Sequence, residues 1–303
     1  MKKVLVLYYS QSGQLRDVID NFVSKLGDET VKVDIREIKP AVAYPYPWDF
    51  YEFFDEFPDA AHMRGCEVEE IENLDDDYDL IILGYTIWFL APSTPVAGFM
   101  KSKQAKNLFK DKQVVTLIAC RDMWVMAQEK MKRLLSDVGA KLIDNVALSD
   151  QGKGIYSFVT TPRWLLTGKK DAFWIFPPAG ILQSDIKSAS KFGERINFAL
   201  KNDLEKKRKP LLKNLGAVNV NGKLIASEIV ATRSFYIWGK IINFCGEKKS
   251  FSRKASITVY ALFLALMVFT LVPINLLVRK VINYFQKEKL IELEKKYEEP
   301  SGR

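Results

Sequence analysis

The opening strand–turn–helix constrains this chain more than any other feature. Val4-Leu5-Val6-Leu7-Tyr8 is an unbroken apolar run, Ser10-Gln11-Ser12-Gly13 is a small polar turn, and Leu15, Val18, Ile19, Phe22, Val23 and Leu26 recur at helical spacing until Gly27. An apolar run without polar alternation marks a strand covered on both faces, as in a parallel sheet flanked by helices. The turn then opens a helix, whose first amides are unpaired and carry partial positive charge, a setting that suits a phosphate. Gly13 allows close backbone approach, and the hydroxyls of Ser10 and Ser12 add donors. The same residues admit a plainer reading, an N-cap supplied by Ser12.

The strand–helix rhythm continues to about Leu148. Val31, Val33, Ile35 and Ile38 predict a second strand, Asp79–Gly84 a third, Val114–Ile118 a fourth and Leu142–Leu148 a fifth, with a helix over Met126–Val138. Strands alternating with helices imply right-handed crossovers and a five-stranded, doubly wound parallel α/β sheet. Ligands in such sheets bind beyond the carboxyl ends of the strands, so the turns after strands one, three and four are the places to search. An aromatic insertion, Tyr44 to Phe57, interrupts the rhythm. Trp48, Tyr51, Phe54 and Phe57 are expected on one helical face with Asp49, Glu52 and Asp55 elsewhere, either packed on the domain or walling a ligand site.

After Asp150 the pattern changes. Residues 151–180, with Gly152, Gly154, Thr161-Pro162, Gly168 and Pro177-Pro178, read as loop; Ser184–Leu200 reads as helix, Lys206–Lys213 as a basic linker, and Phe235–Phe244 as an apolar stretch broken by Lys240. Ala255–Val278 holds 24 residues without a charge, bracketed by Arg253-Lys254 and Arg279-Lys280. About 20 apolar residues cross a hydrocarbon core, and basic flanks anchor such a segment at the interfaces, so membrane insertion is expected. The tail Gln286–Glu299 reads as a solvated helix. Three segments follow: an α/β domain over 1–150, a helical and loop extension over 151–250, and a membrane helix with charged tail over 251–303.

Composition narrows the function classes. The net charge is +8, but the clusters Lys206–Lys209, Lys248-Lys249 and Arg253-Lys254 flank apolar stretches, which favours a lipid surface over nucleic acid. Cys66, Cys120 and Cys245 form no pair by spacing, fitting a reducing compartment, and His62 is the single histidine. No metal-ligating cluster is expected. The short apolar start leads into a polar turn and not a cleavage site, so the first domain is expected in the cytoplasm, anchored to the inner membrane by its C-terminal segment.

The turn Ser10-Gln11-Ser12-Gly13-Gln14-Leu15 resembles the flavodoxin phosphate loop, in which hydroxyl residues alternate around a glycine. Ser10, Ser12 and Gly13 match; Leu15 stands where the family has a hydroxyl, removing one side-chain donor. Gly84–Ser93 resembles the loop flanking the flavin ring, and Ala119–Trp124 lies where the other side of the ring would sit. The resemblance implies FMN as cofactor, with Thr86, Ile87, Trp88 and Phe89 from the second turn and Cys120 and Trp124 from the third. Trp88 and Trp124 would be the stacking residues and Thr86 a polar contact.

Longer motifs, Tyr44–Trp48, Gly84–Phe89, Ala119–Trp124 and Thr160–Lys170, resemble the dialkylresorcinol condensing enzymes of aryl-polyene and flexirubin-type pigment pathways. That resemblance implies condensation and cyclisation of two β-ketoacyl chains delivered by acyl carrier proteins. Asp122 is then the candidate base, and Arg121 or Arg163 the candidate contact for an oxyanion or carrier phosphate. An FMN-dependent NAD(P)H oxidoreductase is the competing enzyme reading, and a membrane-tethered flavin electron carrier the non-enzymatic one. Expected partners are the acyl substrates and membrane lipid, with room for a homo-oligomer and no nucleic acid.

Overall fold

The computed structural model describes residues 1–75, 77–150, 156–271 and 287–302. Gly152 and Gly154, residues 272–278 of the apolar run, Arg279-Lys280 and Gln286 lie outside the described residues. Five parallel strands, β1 (Lys2–Tyr8), β2 (Val31–Glu37), β3 (Leu80–Trp88), β5 (Gln113–Cys120) and β6 (Lys141–Ser149), pair in the order β2-β1-β3-β5-β6. A two-residue strand, β4 (Ala91–Pro92), turns back antiparallel on the end of β3. Val6 pairs with Ile35 on one side and Ile82 on the other, so β1 lies inside the sheet and its five residues Val4–Tyr8 are buried.

Alternate residues of each strand feed two cores. On one face Val4, Val6 and Tyr8 meet α1 (Gln14–Val23) through Leu15, Val18, Ile19 and Phe22, together with α8 (Ser190–Lys201) through Phe192, Ile196 and Leu200. On the other, Leu5, Leu7, Ile81 and Leu83 meet Phe99 of α3 (Thr94–Lys101), Phe109 of α4 (Lys103–Phe109) and Met131 and Leu135 of α5 (Val125–Asp137). The helices α1 and α8 approach so closely that a Cβ at Gly193 would stand 1.8 Å from the Phe22 carbonyl oxygen. Only glycine fits that crossing.

The chain beyond residue 150 packs into this same body. The stretch read as loop contains α6 (Ser157–Thr167), whose interior holds Pro162 and which stops at Gly168 in the left-handed region, φ 73°. The Thr-Pro pair masked the helix in sequence, while Gly168 is the ordinary stop signal. The stretch read as a basic linker likewise folds inward. Past a 3-10 turn (Leu204–Lys207), Leu211 and Leu212 enter the core, and their amides donate to the buried Asp144 carboxylate at 2.5 and 3.3 Å. Burial pushes Asp144 up to about 6 against those donors. The helix expected over Ser184–Leu200 is broken into α7 (Gln183–Ser188) and α8.

The Phe235–Phe244 stretch lies within a single helix, α9 (Gly222–Phe244), that Lys240 does not break; α10 (Phe251–Leu266) follows and runs into a π-helical turn (Met267–Leu271). Among the described residues, one helix, Phe251–Thr270, is long and apolar enough to cross a membrane. It packs on α2 (Phe50–Ala61), where Phe57 and Tyr260 stack at 4.4 Å and 13°. The aromatic face of α2 differs from the expected one: the helix starts after Trp48, Tyr51 is exposed, and Asp55 is turned inward to pair with Arg253. The final helix, α11 (Lys287–Glu298), returns to α9.

Candidate functional site

The strand order reverses direction between β1 and β3, so the crevice lies beyond their carboxyl ends, where Ser10 and Thr86–Trp88 sit. The β1–α1 turn is held open. Its N-cap is Gly13 at φ 83°, with no side-chain cap, so Ser12 does not do the capping work that its residue type suggested. A Cβ at Gly13 would meet nothing within 4 Å, leaving space over the first amides of α1. The Ser10 hydroxyl is buried and has no partner among the described residues. Leu15 is buried in the α1 core, which explains why a hydroxyl is missing at that position. Gln14 underlies Gly180, where a Cβ would stand 2.5 Å from its side-chain nitrogen.

The aromatic insertion covers this turn. Gln11 accepts a bond from the Tyr9 hydroxyl and donates to the Pro45 carbonyl at 2.7 Å. Beyond it, Trp88 is enclosed edge-on by Tyr9, Tyr44 and Trp48, at ring-centroid distances of 5.9, 5.1 and 5.4 Å. α6 closes the insertion from outside, accepting the Trp48 amide at its Leu165 carbonyl, 3.0 Å away. What remains open is a cleft of about 290 Å³ lined by Tyr9, Ser10, Gln11 and Tyr44 and by the charged Glu37, Lys39 and Glu69, among others. Burial raises the Tyr9 and Tyr44 phenols well above their ordinary range, so both stay protonated donors.

The second turn is a tight hairpin, with Phe89 and Leu90 both left-handed at φ 49° and 59°. Phe89 is packed away from the crevice against Phe53 and Phe57, at 4.7 and 4.9 Å. Ile87 is half-buried beside Pro92, its partner in β4. Thr86 keeps a buried hydroxyl without a partner among the described residues.

The third turn departs furthest from expectation. Trp124 is 1% exposed and belongs to the core, leaving no face for a ligand. The amides that open α5 are also engaged: Glu228, reaching across from α9, accepts the Met126 N–H at 2.8 Å. Burial pushes Glu228 up to about 7, opposed by the amides of Met126, Val125 and Trp124. Sequence reasoning missed Glu228, which lies 102 residues from its partner. Its only local signal was a carboxylate in an apolar helix.

The proposed catalytic residues separate into two groups. Arg121 lies 4.1 Å over the Phe158 ring, with Asp122 and Asp150 nearby. Asp122 is raised by burial, with Arg121 opposing and Asp150 reinforcing. Arg163 is committed elsewhere, paired with Asp171 at 3.1 Å and donating to its carbonyl at 2.8 Å. Cys120 is pushed up strongly by burial, so its thiol is not poised as a nucleophile. His62, at the end of α2, packs on Tyr236.

Five parallel strands ordered 2-1-3-5-6, with a loop at the switch point between the first and third, define the architecture. The fold is flavodoxin-like. No family model and no curated protein matches the chain. Among solved structures, a flavoprotein from Lactobacillus acidophilus in complex with FMN is 22% identical over 48% of this chain and 93% of its own, with a TM-score of 0.40. A flavodoxin from the domain Archaea is 11% identical over 66% and 99%, with a TM-score of 0.38. A flavone reductase is 14% identical over 86% and 97%, with a TM-score of 0.39. At these similarities the fold rests on the strand order of the chain itself.

Proposed function

We propose that the chain is an FMN-binding protein of oxidoreductase type, with the phosphate held at the β1–α1 turn. The observation that carries this reading is the buried Ser10 hydroxyl, without a partner among the described residues, beside an α1 terminus without a side-chain cap. An orphaned buried hydroxyl and unpaired amides both gain from an anionic oxygen. Ser10, Ser12 and the first amides of α1 suit the phosphate, and the partnerless Thr86 hydroxyl suits a polar ring edge. FMN, when bound, supplies the electron-accepting chemistry. The protein supplies position and electrostatics. For Trp88 to face a ring, Tyr44 and Trp48 must move aside, because they now cover it. The FMN-complexed and reductase neighbours are in keeping with this reading.

The test is a titration of the purified full chain with FMN, followed by flavin fluorescence, and then addition of NADH or NADPH. Quenching at micromolar concentrations with pyridine-nucleotide oxidation supports the reductase. Quenching without oxidation assigns an electron carrier. No quenching defeats both.

The condensing reading remains as a second proposal on one specific observation. Burial raises the Asp122 carboxyl above its ordinary range, with Arg121 opposing, and that is the direction a general base for enolate formation requires. It would take β-ketoacyl chains from carrier proteins, and the apolar C-terminal helix would put that chemistry at the cytoplasmic face of the inner membrane. Product formation from two β-ketoacyl thioesters, abolished by Asp122→Asn, is its test. Turnover that survives Asp122→Asn removes it.

A further inference from the structure

The apolar helix α10 does not leave the domain. Its face Arg253, Ile257 and Tyr260 is buried against α2 and α9, and contact persists as far as Phe263, whose ring lies 5.0 Å from Trp238. Arg253 fixes the start of the helix through Asp55 and through Asn243 at 2.8 Å. Of the 24-residue uncharged run, Ala255–Leu264 lies within this packed stretch, so 14 residues of sequence are left, fewer than the about 20 that a hydrocarbon crossing needs.

The other end of the chain adds an independent constraint. Glu294 of α11 accepts the Gly222 amide at 3.0 Å, and Leu293 and Tyr297 pack on the sheet core. Ser301 is fully buried, exchanging hydrogen bonds with the backbone of Asn145 in β6 at 2.6 and 3.0 Å. A single crossing would put residues 287–302 on the far side from the sheet they are bonded to. Entry and exit are therefore on one side.

α9, α10 and the turn after them leave large apolar side chains in solvent. Phe244 and Phe251 at the bend are 94% and 88% exposed, and Ile237, Val259, Leu262 and Phe269 are also exposed. Arg233, Lys240 and Lys254 lie exposed on the same two helices, complementary to anionic headgroups.

We propose that the protein is monotopic: the α9–α10 hairpin beds its apolar surface in one leaflet of an anionic bilayer, and both termini stay on the side of the α/β domain. This deepens the membrane attachment proposed above and is independent of the flavin.

The test uses the full chain with a tag at each end, in inside-out membrane vesicles treated with protease, alongside flotation of the purified protein with phosphatidylglycerol–phosphatidylcholine vesicles. The expected result is flotation, with both tags removed together from the domain's side. A C-terminal tag protected while the N-terminal tag is cut shows a crossing and overturns the inference, though not the attachment. Failure to float, including self-association without lipid, overturns both. Leu262→Glu combined with Phe269→Glu should lower the vesicle-bound fraction about tenfold or more at unchanged circular dichroism. Should that variant misfold, Lys240→Glu with Lys254→Glu must weaken binding to anionic but not to neutral vesicles; equal binding to both overturns the headgroup assignment.

Discussion

Replacing Glu228 by glutamine gives a pH-dependent effect whose sign follows from the structure. The carboxyl is 1% exposed, and burial raises it from the ordinary 4.5 to about 7. A folded-state value above the unfolded one means that the folded protein binds the proton more tightly. Below about pH 4.5 the group is protonated in both states and imposes no charge-burial cost. Between about 4.5 and 7 the unfolded state ionises first, and stability falls. Above 7 the full cost is in place, on the order of 3 kcal/mol for a displacement of this size. Glutamine keeps an acceptor for the Met126 amide but cannot ionise, so the variant escapes this slope. The stability difference between Glu228→Gln and the parent should therefore move by roughly 3 kcal/mol in favour of glutamine from pH 4.5 to pH 8. In a chain of this size that corresponds to a relative shift in melting temperature on the order of 5–10 °C. Melting both proteins in the same detergent across that range measures it. Parallel pH profiles would show that Glu228 does not titrate there and that its burial is misjudged.

Three further predictions come from single contacts. Ser10→Ala should leave stability within about 0.5 kcal/mol, because the hydroxyl has no partner to lose, while weakening FMN binding several-fold; a clear loss of stability with unchanged affinity would count against the phosphate assignment. Gly193→Ala puts a methyl against the Phe22 carbonyl and should cost roughly 2–4 kcal/mol by denaturant unfolding, so a neutral result would mean α1 and α8 are further apart than described. Trp48→Ala should destabilise by about 3–5 kcal/mol yet bind FMN more tightly per folded molecule, by uncovering Trp88. Weaker binding by that variant would mean Trp48 belongs to the ligand site and is not a cover over it.

The sheet was legible in sequence because strands buried on both faces read as apolar runs, unbroken in Val4–Tyr8 and Leu80–Leu83 and interrupted only by Thr116 in Val114–Ile118. The β1–α1 turn was legible for a similar reason: its chemistry is local. What escaped was every feature made by distant partners. Asp55 read as an outward charge because its partner Arg253 lies 198 residues away. Leu211 and Leu212 hid inside a run of lysines, although their amides were needed by the buried Asp144. Trp88 ends β3 and Trp124 opens α5, but residue type alone does not say which neighbour covers an indole. Tyr44 and Trp48 cover the first, and the core takes the second.

A comparison of FMN with riboflavin, titrated into the full chain by flavin fluorescence, isolates the phosphate from the ring. Amides and a partnerless hydroxyl waiting for a dianion should make FMN bind at least about tenfold tighter than riboflavin, with most of that margin lost in Ser10→Ala. Equal affinities for the two flavins, or none for either, would contradict a phosphate site at the opening of α1.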